Sequence, residues 1–255
     1  MKIATWNVNS LTVRLPHVLE WTKSARPDVL ALQEIKSPTE AFPLDRFREA
    51  GYHAVASGQK SYNGVATISR RAPADALTDI PGFEDPERRV LVTTIDGVRV
   101  VNLYVPNGQS VGSLKYEYKL GWLAAVREYL AAEMALHKNL VVLGDFNVAP
   151  RDIDVYDPVA WGEGILCSPA ERAALEAILK LGLVDIFRQF DQPEKSFSWW
   201  DYRAGRFRRN AGLRIDLILA SPALAARCTA SYIDREPRGW ERPSDHTPVV
   251  AEFAF

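Results

Sequence analysis

The stretch that decides the fold class runs from residue 90 to residue 105 and reads VLVTTIDGVRVVNLYV. Its two valine-rich arms flank Asp96-Gly97, a dipeptide that strongly predicts a two-residue hairpin turn. Valine packs well on a pleated surface, so both arms are expected to be strands. We therefore place an antiparallel hairpin here and interpret the rest of the chain around it.

Further β-type runs recur on both sides of this hairpin. They read KIATWNV, DVLALQE, GVATIS, NLVVLGD, LRIDLILA and TPVVAEF. Three helical patterns separate some of them: a short amphipathic face over residues 15–22, a long one over residues 120–134, and a third with an unusually clear start. There Ser168 caps the helix, Pro169 fits its first position, and Glu171 completes a capping box.

Many strands with few, scattered helices favour two sheets packed face to face. We expect an α+β protein, a four-layer α/β sandwich of two packed mixed β-sheets flanked by helices, built as a single domain over residues 1–255. A doubly wound nucleotide fold would alternate strand and helix more regularly and would usually contain a Gly-rich phosphate loop. The sequence has neither feature.

Composition restricts the class of protein. The 255 residues are 47% hydrophobic, and 31 Lys and Arg nearly balance 32 Asp and Glu. Nucleic-acid binding would therefore depend on a local basic face and bound metal, because the chain has no overall basic excess. The two cysteines, Cys167 and Cys228, have no metal-type spacing. The start MKIATWNVNS does not predict a signal peptide, and no apolar run approaches about 20 residues. We therefore expect a cytoplasmic protein that does not contact membranes, and we also expect a monomer.

Polar residues interrupt the apolar strands at their ends. A carboxylate at the end of a buried strand loses hydration, which is costly unless something pairs with it. Several such residues together predict a shared cluster where the strands converge. The residues concerned are Asn7, Asn9, Glu34, Asp145, Asn147, Asp216, Asp245 and His246.

This cluster is rich in hard oxygen ligands. Carboxylates and amide oxygens suit Mg²⁺, with Mn²⁺ as the other candidate, rather than zinc. Magnesium prefers to share its coordination with a substrate phosphate, so the cluster indicates phosphoryl chemistry. The oxygen ligands expected from residue type are Glu34, Asp145 and Asp245 with Asn7, Asn9 and Asn147.

Each residue also has a simpler interpretation. Glu34 would form a strand-end salt bridge, Asp145 an Asx turn, and Asp216 an ion pair with Arg214 or Arg209. His246 would be an ordinary satisfied histidine. Together these alternatives require separate coincidences of residue type and strand-end position, so we favour one shared site.

Seven motifs carry a family resemblance. They are WNVNSL, LQEIK, YNGVA, YVPNG, GDFNVAP, GLRIDLIL and PSDHTPV, in this order. The chain from Lys2 to Phe253 thereby resembles the exonuclease III family of DNA-repair nucleases, which includes abasic-site endonucleases. GDFN and SDH alone also occur in the broader endonuclease/exonuclease/phosphatase superfamily. The narrower assignment rests on WNVNS, YVPNG, SWWDYR and GLRID.

The resemblance implies roles for these positions. Glu34 and Asp245, with Asn7 and Asn9, would form the metal site, to which Asp145, Asn147 and His246 are added as ligands. The catalytic set would be Tyr104, Asp145, Asn147, Asp216 and His246. Asp145 and Asn147 would hold the attacking water and the phosphate oxygens, and Asp216 would orient His246. Whether Asp145 or His246 takes the proton stays open.

Substrate contacts are expected from a local basic face and an apolar pocket. The cations that follow the motif strands are Arg14, Lys36, Lys60, Lys115, Lys119, Arg203, Arg206, Arg208 and Arg209. The segment with Trp199, Trp200, Leu213 and Ile215 resembles the family's pocket for a flipped-out sugar. The predicted DNA-binding set is Lys36, Asn107, Lys115, Trp199, Leu213 and Arg214.

The family pattern breaks in the loop over residues 154–172, DVYDPVAWGEGILCSPAER. If Leu166 projects over the sugar pocket, it hinders an internal flipped nucleotide and leaves a frayed 3′ terminus accessible. We therefore expect a Mg²⁺-dependent hydrolase of 3′ ends in duplex DNA (3′–5′ exonuclease, 3′-phosphatase or 3′-phosphodiesterase), with nicks and abasic sites as further partners and abasic incision left open. The alternatives are a phosphatase of non-nucleic-acid phosphate esters and a non-catalytic DNA-binding module.

Overall fold

The hairpin around Asp96-Gly97 forms as predicted. In the computed structural model, which describes residues 1–255, both turn residues have positive φ, 47° and 77°. A type I′ turn requires this conformation at both central positions. The turn joins β6 (Val90–Ile95) to β7 (Val98–Tyr104), which pair in antiparallel fashion.

The hairpin belongs to one of two six-stranded sheets. The first sheet has the order β11 (Cys228–Ile233), β12 (Val249–Phe253), β1 (Lys2–Asn7), β2 (Val29–Gln33), β4 (Val65–Ser69), β3 (His53–Ser57). The second has the order β5 (Ala76–Leu77), β6, β7, β8 (Leu140–Asp145), β10 (Asp216–Ala220), β9 (Val184–Asp185). Both sheets are mixed, because β1 runs parallel to β2 and β7 runs parallel to β8 while the other neighbours are antiparallel.

The chain forms six α-helices. They are α1 (Leu11–Ala25), α2 (Leu44–Glu49), α3 (Leu114–Leu136), α4 (Pro158–Trp161), α5 (Pro169–Leu179) and α6 (Pro222–Ala225). One buried apolar layer lies between the sheets and contains side chains of both, such as Ile3 and Val141. A second layer packs α1 and α2 on the first sheet, and a third packs α3 and α5 on the second. The predicted four-layer α/β sandwich is confirmed, and the single domain over residues 1–255 stays a prediction.

The start of α5 follows the predicted capping box. The Glu171 amide donates to Ser168 Oγ (3.4 Å), and the Ser168 amide donates to Glu171 Oε2 (3.1 Å). The long helix α3 extends beyond the predicted residues 120–134 at both ends. The one-turn helices α4 and α6 and the two-residue strands β5 and β9 were not predicted, because segments this short contain too few residues to show a period.

The register of the paired strands brings the polar residues at the strand ends together at one edge of the sandwich. Asn7 and Gln33 are partners at the carboxyl ends of the parallel strands β1 and β2. In the other sheet, Tyr104 and Asp216 flank Asp145 on its two sides. These residues therefore meet at one edge although they are far apart in sequence. None of the helices combines the length and apolar character that crossing a membrane requires.

Candidate active site

The GDFN segment at the end of β8 has a locally determined shape. A Cβ on Gly144 would lie 1.9 Å from the Leu103 carbonyl oxygen, so only glycine permits this approach of β7 and β8. The Asn147 amide donates to Asp145 Oδ1 (2.9 Å). This is the Asx turn considered as an alternative for Asp145. It is compatible with the site because the other carboxylate oxygen, Asp145 Oδ2, accepts a hydrogen bond from Asn7 Nδ2.

Asn7 joins two carboxylates at the sheet edge. Its Nδ2 donates to Glu34 Oε1 and to Asp145 Oδ2, both at 2.9 Å. Glu34 also pairs with Lys36 at 2.9 Å, so its strand-end salt bridge forms within the site. The amide of Asn7 therefore fixes the spacing of the two carboxylates, which would otherwise repel each other.

His246 and Asp216 form a buried pair behind these carboxylates. His246 Nδ1 lies 2.9 Å from Asp216 Oδ2 and 3.1 Å from Oδ1. Asp216 also accepts a hydrogen bond from Ser198 Oγ (2.6 Å). The alternative pairing of Asp216 with Arg214 does not occur, because Arg214 binds Asp154 and Asp185.

Three of the predicted ligands lie close enough together to hold a metal ion. Ligand atoms of Glu34, Asp145 and His246 lie within 4.8 Å of one another. The Glu34 side chain is 18% exposed, so the cluster opens to solvent and to a substrate. Two carboxylate oxygens beside a single imidazole fit a hard divalent cation better than zinc.

The ionisation of the cluster reflects its burial. Burial raises the pKa of Asp145, and the Asp216 carboxylate raises it further. Burial alone would lower the pKa of His246, but the carboxylates of Asp216 and Asp145 outweigh it and raise that pKa. His246 Nε2 faces Asp145 Oδ2 at 3.7 Å. The pKa values of both groups are thus raised, and the choice of base stays open.

Asn9 and Asp245 form a neighbouring pair. Asn9 Nδ2 donates to Asp245 Oδ1 (2.9 Å), and Trp199 Nε1 donates to Asp245 Oδ2 (3.0 Å). Lys36 binds Asn9 Oδ1 as well as Glu34. The predicted ligands thus divide between an inner cluster of Glu34, Asp145 and His246 and this outer pair, and Lys36 joins the two.

Tyr104 and Asn147 border the other side of the inner cluster. Burial raises the pKa of Tyr104, and the carboxylates of Glu34 and Asp145 raise it further. The Arg89 guanidinium stacks on the Tyr104 ring at 4.7 Å. Asn107 Nδ2 donates to Asn147 Oδ1 (3.2 Å). The phenol of Tyr104 and the Asn107 amide thus lie beside the carboxylates and can donate to phosphate oxygens. Asn147 Nδ2 donates to the Val105 carbonyl (2.9 Å) and to Asp145 Oδ2 (3.3 Å), and would have to exchange one of these bonds to reach a phosphate oxygen.

A cleft of about 590 Å³ opens next to Tyr104. Its walls include Tyr62, Asn63, Arg89, Asn107, Gln109, Lys115 and Tyr118. Asn107 and Lys115, both predicted to contact DNA, are exposed here. Polar and cationic side chains on a concave surface suit a phosphate backbone.

Two predicted DNA contacts are wrong. Arg214 is 1% exposed, and its guanidinium forms ion pairs with Asp154 (2.7 Å) and Asp185 (2.7 Å). Leu213 has no exposed surface. Lys119, which we placed on the basic face, is also fully buried. Sequence position beside an exposed loop does not reveal burial of this kind.

Leu166 lies beside the apolar segment as the sequence suggested, but it is only 4% exposed. It packs with Val155, Leu213 and Ile215, and the half-buried Trp199 packs against the same cluster. Its φ of 72° is unusual for a leucine and indicates a constrained backbone. The side chain thus fills apolar space beside Trp199, and its predicted gating role stays a prediction.

Sequence reasoning missed Ser198 and Arg89. Ser198 Oγ donates to Asp216 and accepts from the Ile215 and Asp216 amides (both 3.1 Å). Ser198 is the first residue of the SWWDYR motif, in which only the tryptophans were predicted to line a pocket. No sequence motif indicated Arg89, because its contact with Tyr104 forms only when distant parts of the chain pair.

Comparisons with known proteins agree with this geometry. The model of the Endonuclease/Exonuclease/phosphatase family matches residues 4–246. The chain is 36% identical to Exodeoxyribonuclease III of Haemophilus influenzae, over 99% of this chain and 100% of that protein. The structure of the 3′ phosphatase NExo from Neisseria bound to a product DNA hairpin superposes with a TM-score of 0.98 at 49% identity, covering 100% of both chains.

A further solved structure is that of an AP endonuclease from Archaeoglobus fulgidus. It superposes with a TM-score of 0.96 at 42% identity and covers 100% of both chains. The motifs, the four-layer fold and the carboxylate–histidine cluster lead to the same assignment. The chain belongs to the endonuclease/exonuclease/phosphatase family, and its relatives within that family are the exonuclease III-type nucleases.

Proposed function

We propose that the protein is a Mg²⁺-dependent DNA-repair nuclease that hydrolyses phosphate esters at 3′ ends of duplex DNA, as exonuclease, 3′-phosphatase and 3′-phosphodiesterase. The observation that carries the proposal is the convergence of Glu34, Asp145 and His246 within 4.8 Å at the open edge of the sandwich. The relatives named as exodeoxyribonuclease III and 3′ phosphatase support the choice of substrate.

Glu34 and Asp145, with His246, are the groups that would hold the cation. The bound cation would polarise the phosphoryl group and lower the pKa of a water. Asn7 keeps the two carboxylates at a common spacing through hydrogen bonds of 2.9 Å. Mn²⁺ offers the same preference for oxygen ligands and is expected to substitute.

Asp216 keeps His246 in one orientation and one tautomer. With Nδ1 donating to Asp216, Nε2 is directed toward Asp145 and the rest of the cluster. Asn147 and Tyr104 donate to the phosphoryl oxygens and to the departing oxygen. Because Asn147 is neutral, it stabilises negative charge without repelling the nucleophile.

Duplex DNA is the proposed partner, with Lys115 and Asn107 along the cleft beside Tyr104. Leu166 fills the apolar space beside Trp199 and thereby favours a frayed 3′ terminus over an internal flipped abasic nucleotide. We also propose that the enzyme acts as a monomer.

Two duplexes test the proposal. One has a nick with a 3′-phosphate, and the other has an internal abasic analogue; each is incubated with Mg²⁺, Mn²⁺ or EDTA. We expect phosphate release at the nick with either cation, none with EDTA, and little incision of the second duplex. Asp145→Asn is the control for a contaminating nuclease. Turnover of an inositol phosphate without turnover of the nick would contradict the proposal.

A further inference from the structure

One buried ion pair lies directly beneath the candidate active site. It joins Lys119 of α3 to Glu171 of α5, and neither side chain has any exposed surface. Lysine is almost never buried completely unless it is paired. Because desolvation offsets most of the attraction within such a pair, stability alone is a weak explanation for it.

Lys119 holds the backbone of two site loops. Its Nζ donates to the Asn147 carbonyl (2.7 Å) and to the Asn107 carbonyl (3.1 Å). The side chains of these two asparagines also bind each other at 3.2 Å. One ammonium group therefore fixes the loops that follow β7 and β8 at the point where their amides face the cluster.

Glu171 extends this connection to the loop that contains Leu166. Its Oε1 accepts from the Leu166 amide (3.1 Å), and its Oε2 accepts from the Ser168 amide (3.1 Å) and hydroxyl (2.6 Å). The loop that contains Leu166 and the two loops that contain Asn107 and Asn147 are consequently attached to the same Lys119–Glu171 ion pair.

We propose that Lys119 and Glu171 are positioning residues that hold the Asn147 and Asn107 amides at a set distance from Leu166. In this arrangement Lys119 determines the rate of the chemical step, and Glu171 determines the discrimination between a 3′ terminus and an internal abasic nucleotide. The inference rests on the proposed function and adds a source of its specificity.

The test uses the double variant Lys119→Met/Glu171→Met. Replacing a buried ion pair with apolar residues of similar volume is often neutral for stability, but the backbone groups that Lys119 and Glu171 bind lose their partners, so circular dichroism first establishes that the variant folds. Misplacement of a catalytic group by about 1 Å costs roughly 100-fold in rate. We therefore expect kcat at the 3′-phosphate nick to fall by about 10- to 100-fold with little change in KM, and the relative incision of the internal abasic analogue to rise several-fold.

The chain contains a matched control pair. Arg99 and Glu133 form another buried ion pair (2.6 Å), with Glu133 on the same helix α3, and Arg99 lies at the end of β7 opposite to Tyr104. Arg99→Met/Glu133→Met is expected to leave kcat and the substrate ratio unchanged. An equal loss in the control variant would overturn the positioning role, as would a folded Lys119→Met/Glu171→Met variant with wild-type kcat and substrate ratio.

A second variant keeps the proposal testable if the double variant does not fold. Glu171→Gln preserves the shape of the side chain and removes the charge that faces Lys119, so the substrate ratio is expected to rise; an unchanged ratio would overturn the role of Glu171. The wild type is measured first. If the wild type does not act at the nick, the proposed function is contradicted. The positioning role is tested separately, because it predicts a difference between variant and wild type on any substrate that the wild type cleaves.

Discussion

His246 Nδ1 lies 2.9 Å from Asp216 Oδ2, and the two side chains are 5% and 0% exposed. Asp216 is itself held by the Ser198 hydroxyl at 2.6 Å. The imidazole therefore has one orientation, and its Nε2 is directed toward Asp145. A shift in any of these three residues would change where the ring points.

Replacing Asp216 with Asn should disable this arrangement. The amide presents a donor or a neutral acceptor to Nδ1, so the ring loses both its charge partner and its fixed tautomer. Because positioned acid–base groups contribute about 100- to 10,000-fold to rate, kcat should fall by at least about 100-fold. Phosphate release from a 3′-phosphate nick measures this, with Glu133→Gln as the control; wild-type turnover in Asp216→Asn would remove the pair from the mechanism.

Asp145→Asn and His246→Ala should each reduce kcat by orders of magnitude with the fold intact. Asp145 is a proposed ligand that also faces His246 Nε2 at 3.7 Å, so either change removes a group in contact with the reaction. Steady-state kinetics combined with circular dichroism separates loss of activity from loss of structure. If either variant retained normal turnover, that residue would have no role in the chemical step.

Lys115→Ala should weaken DNA binding without lowering kcat. Lys115 is exposed on the cleft beside Tyr104, and the loss of one phosphate contact reduces the salt dependence of log Kd by about one unit of slope. Titration of a nicked duplex at several salt concentrations measures the slope. Lys138→Ala is the matched control, because exposed Lys138 precedes β8 at the end opposite to Asp145. Equal slopes for Lys115→Ala and wild type would argue against this contact.

Leu166→Gly should open the apolar space beside Trp199. Glycine adopts the φ of 72° without strain, so the backbone is expected to be retained while the side chain is removed. Incision of an internal abasic analogue should then rise relative to phosphate release at a nick. Both rates are measured in one competition assay, and an unchanged ratio would exclude Leu166 as a gate.

The buried Asp154 should make the protein sensitive to acid. Burial alone would raise its pKa, but the guanidiniums of Arg214 and Arg188 outweigh this and lower it. A carboxyl whose folded pKa lies below its unfolded value of about 3.9 stabilises the fold above that pH. This stabilisation is lost as the pH falls through the folded pKa.

Asp154→Asn should therefore lower the free energy of unfolding at neutral pH by about 3–5 kcal/mol, because it breaks a buried ion pair. The difference from wild type should become smaller as the pH falls below about 4. Urea denaturation at pH 7 and at pH 3 measures both values. A difference that is the same at the two pH values would show that the Asp154 charge does not contribute.

Local features could be predicted from the sequence because they depend on neighbouring residues. The Asp96-Gly97 turn requires only two residues with positive φ, and the Ser168–Glu171 capping box spans a single helical turn. The convergence of strand-end carboxylates was also predictable, since a buried carboxylate requires partners. Thus the sequence by itself determined the fold class and predicted the strand-end residues from which the inner cluster is drawn, whereas the packing of the strands separated Asn9 and Asp245 from it.

The tertiary structure alone decided which charges are buried and with which partner. Arg214 was a candidate partner for Asp216, yet it pairs with Asp154, 60 residues away. Lys119 resembles a solvent-facing lysine on a helix, but the packing of α3 against α5 brings it to Glu171. Which charged side chains are buried, and with which partner, depends on how helices and strands pack against one another. A local pattern of residues does not contain that information.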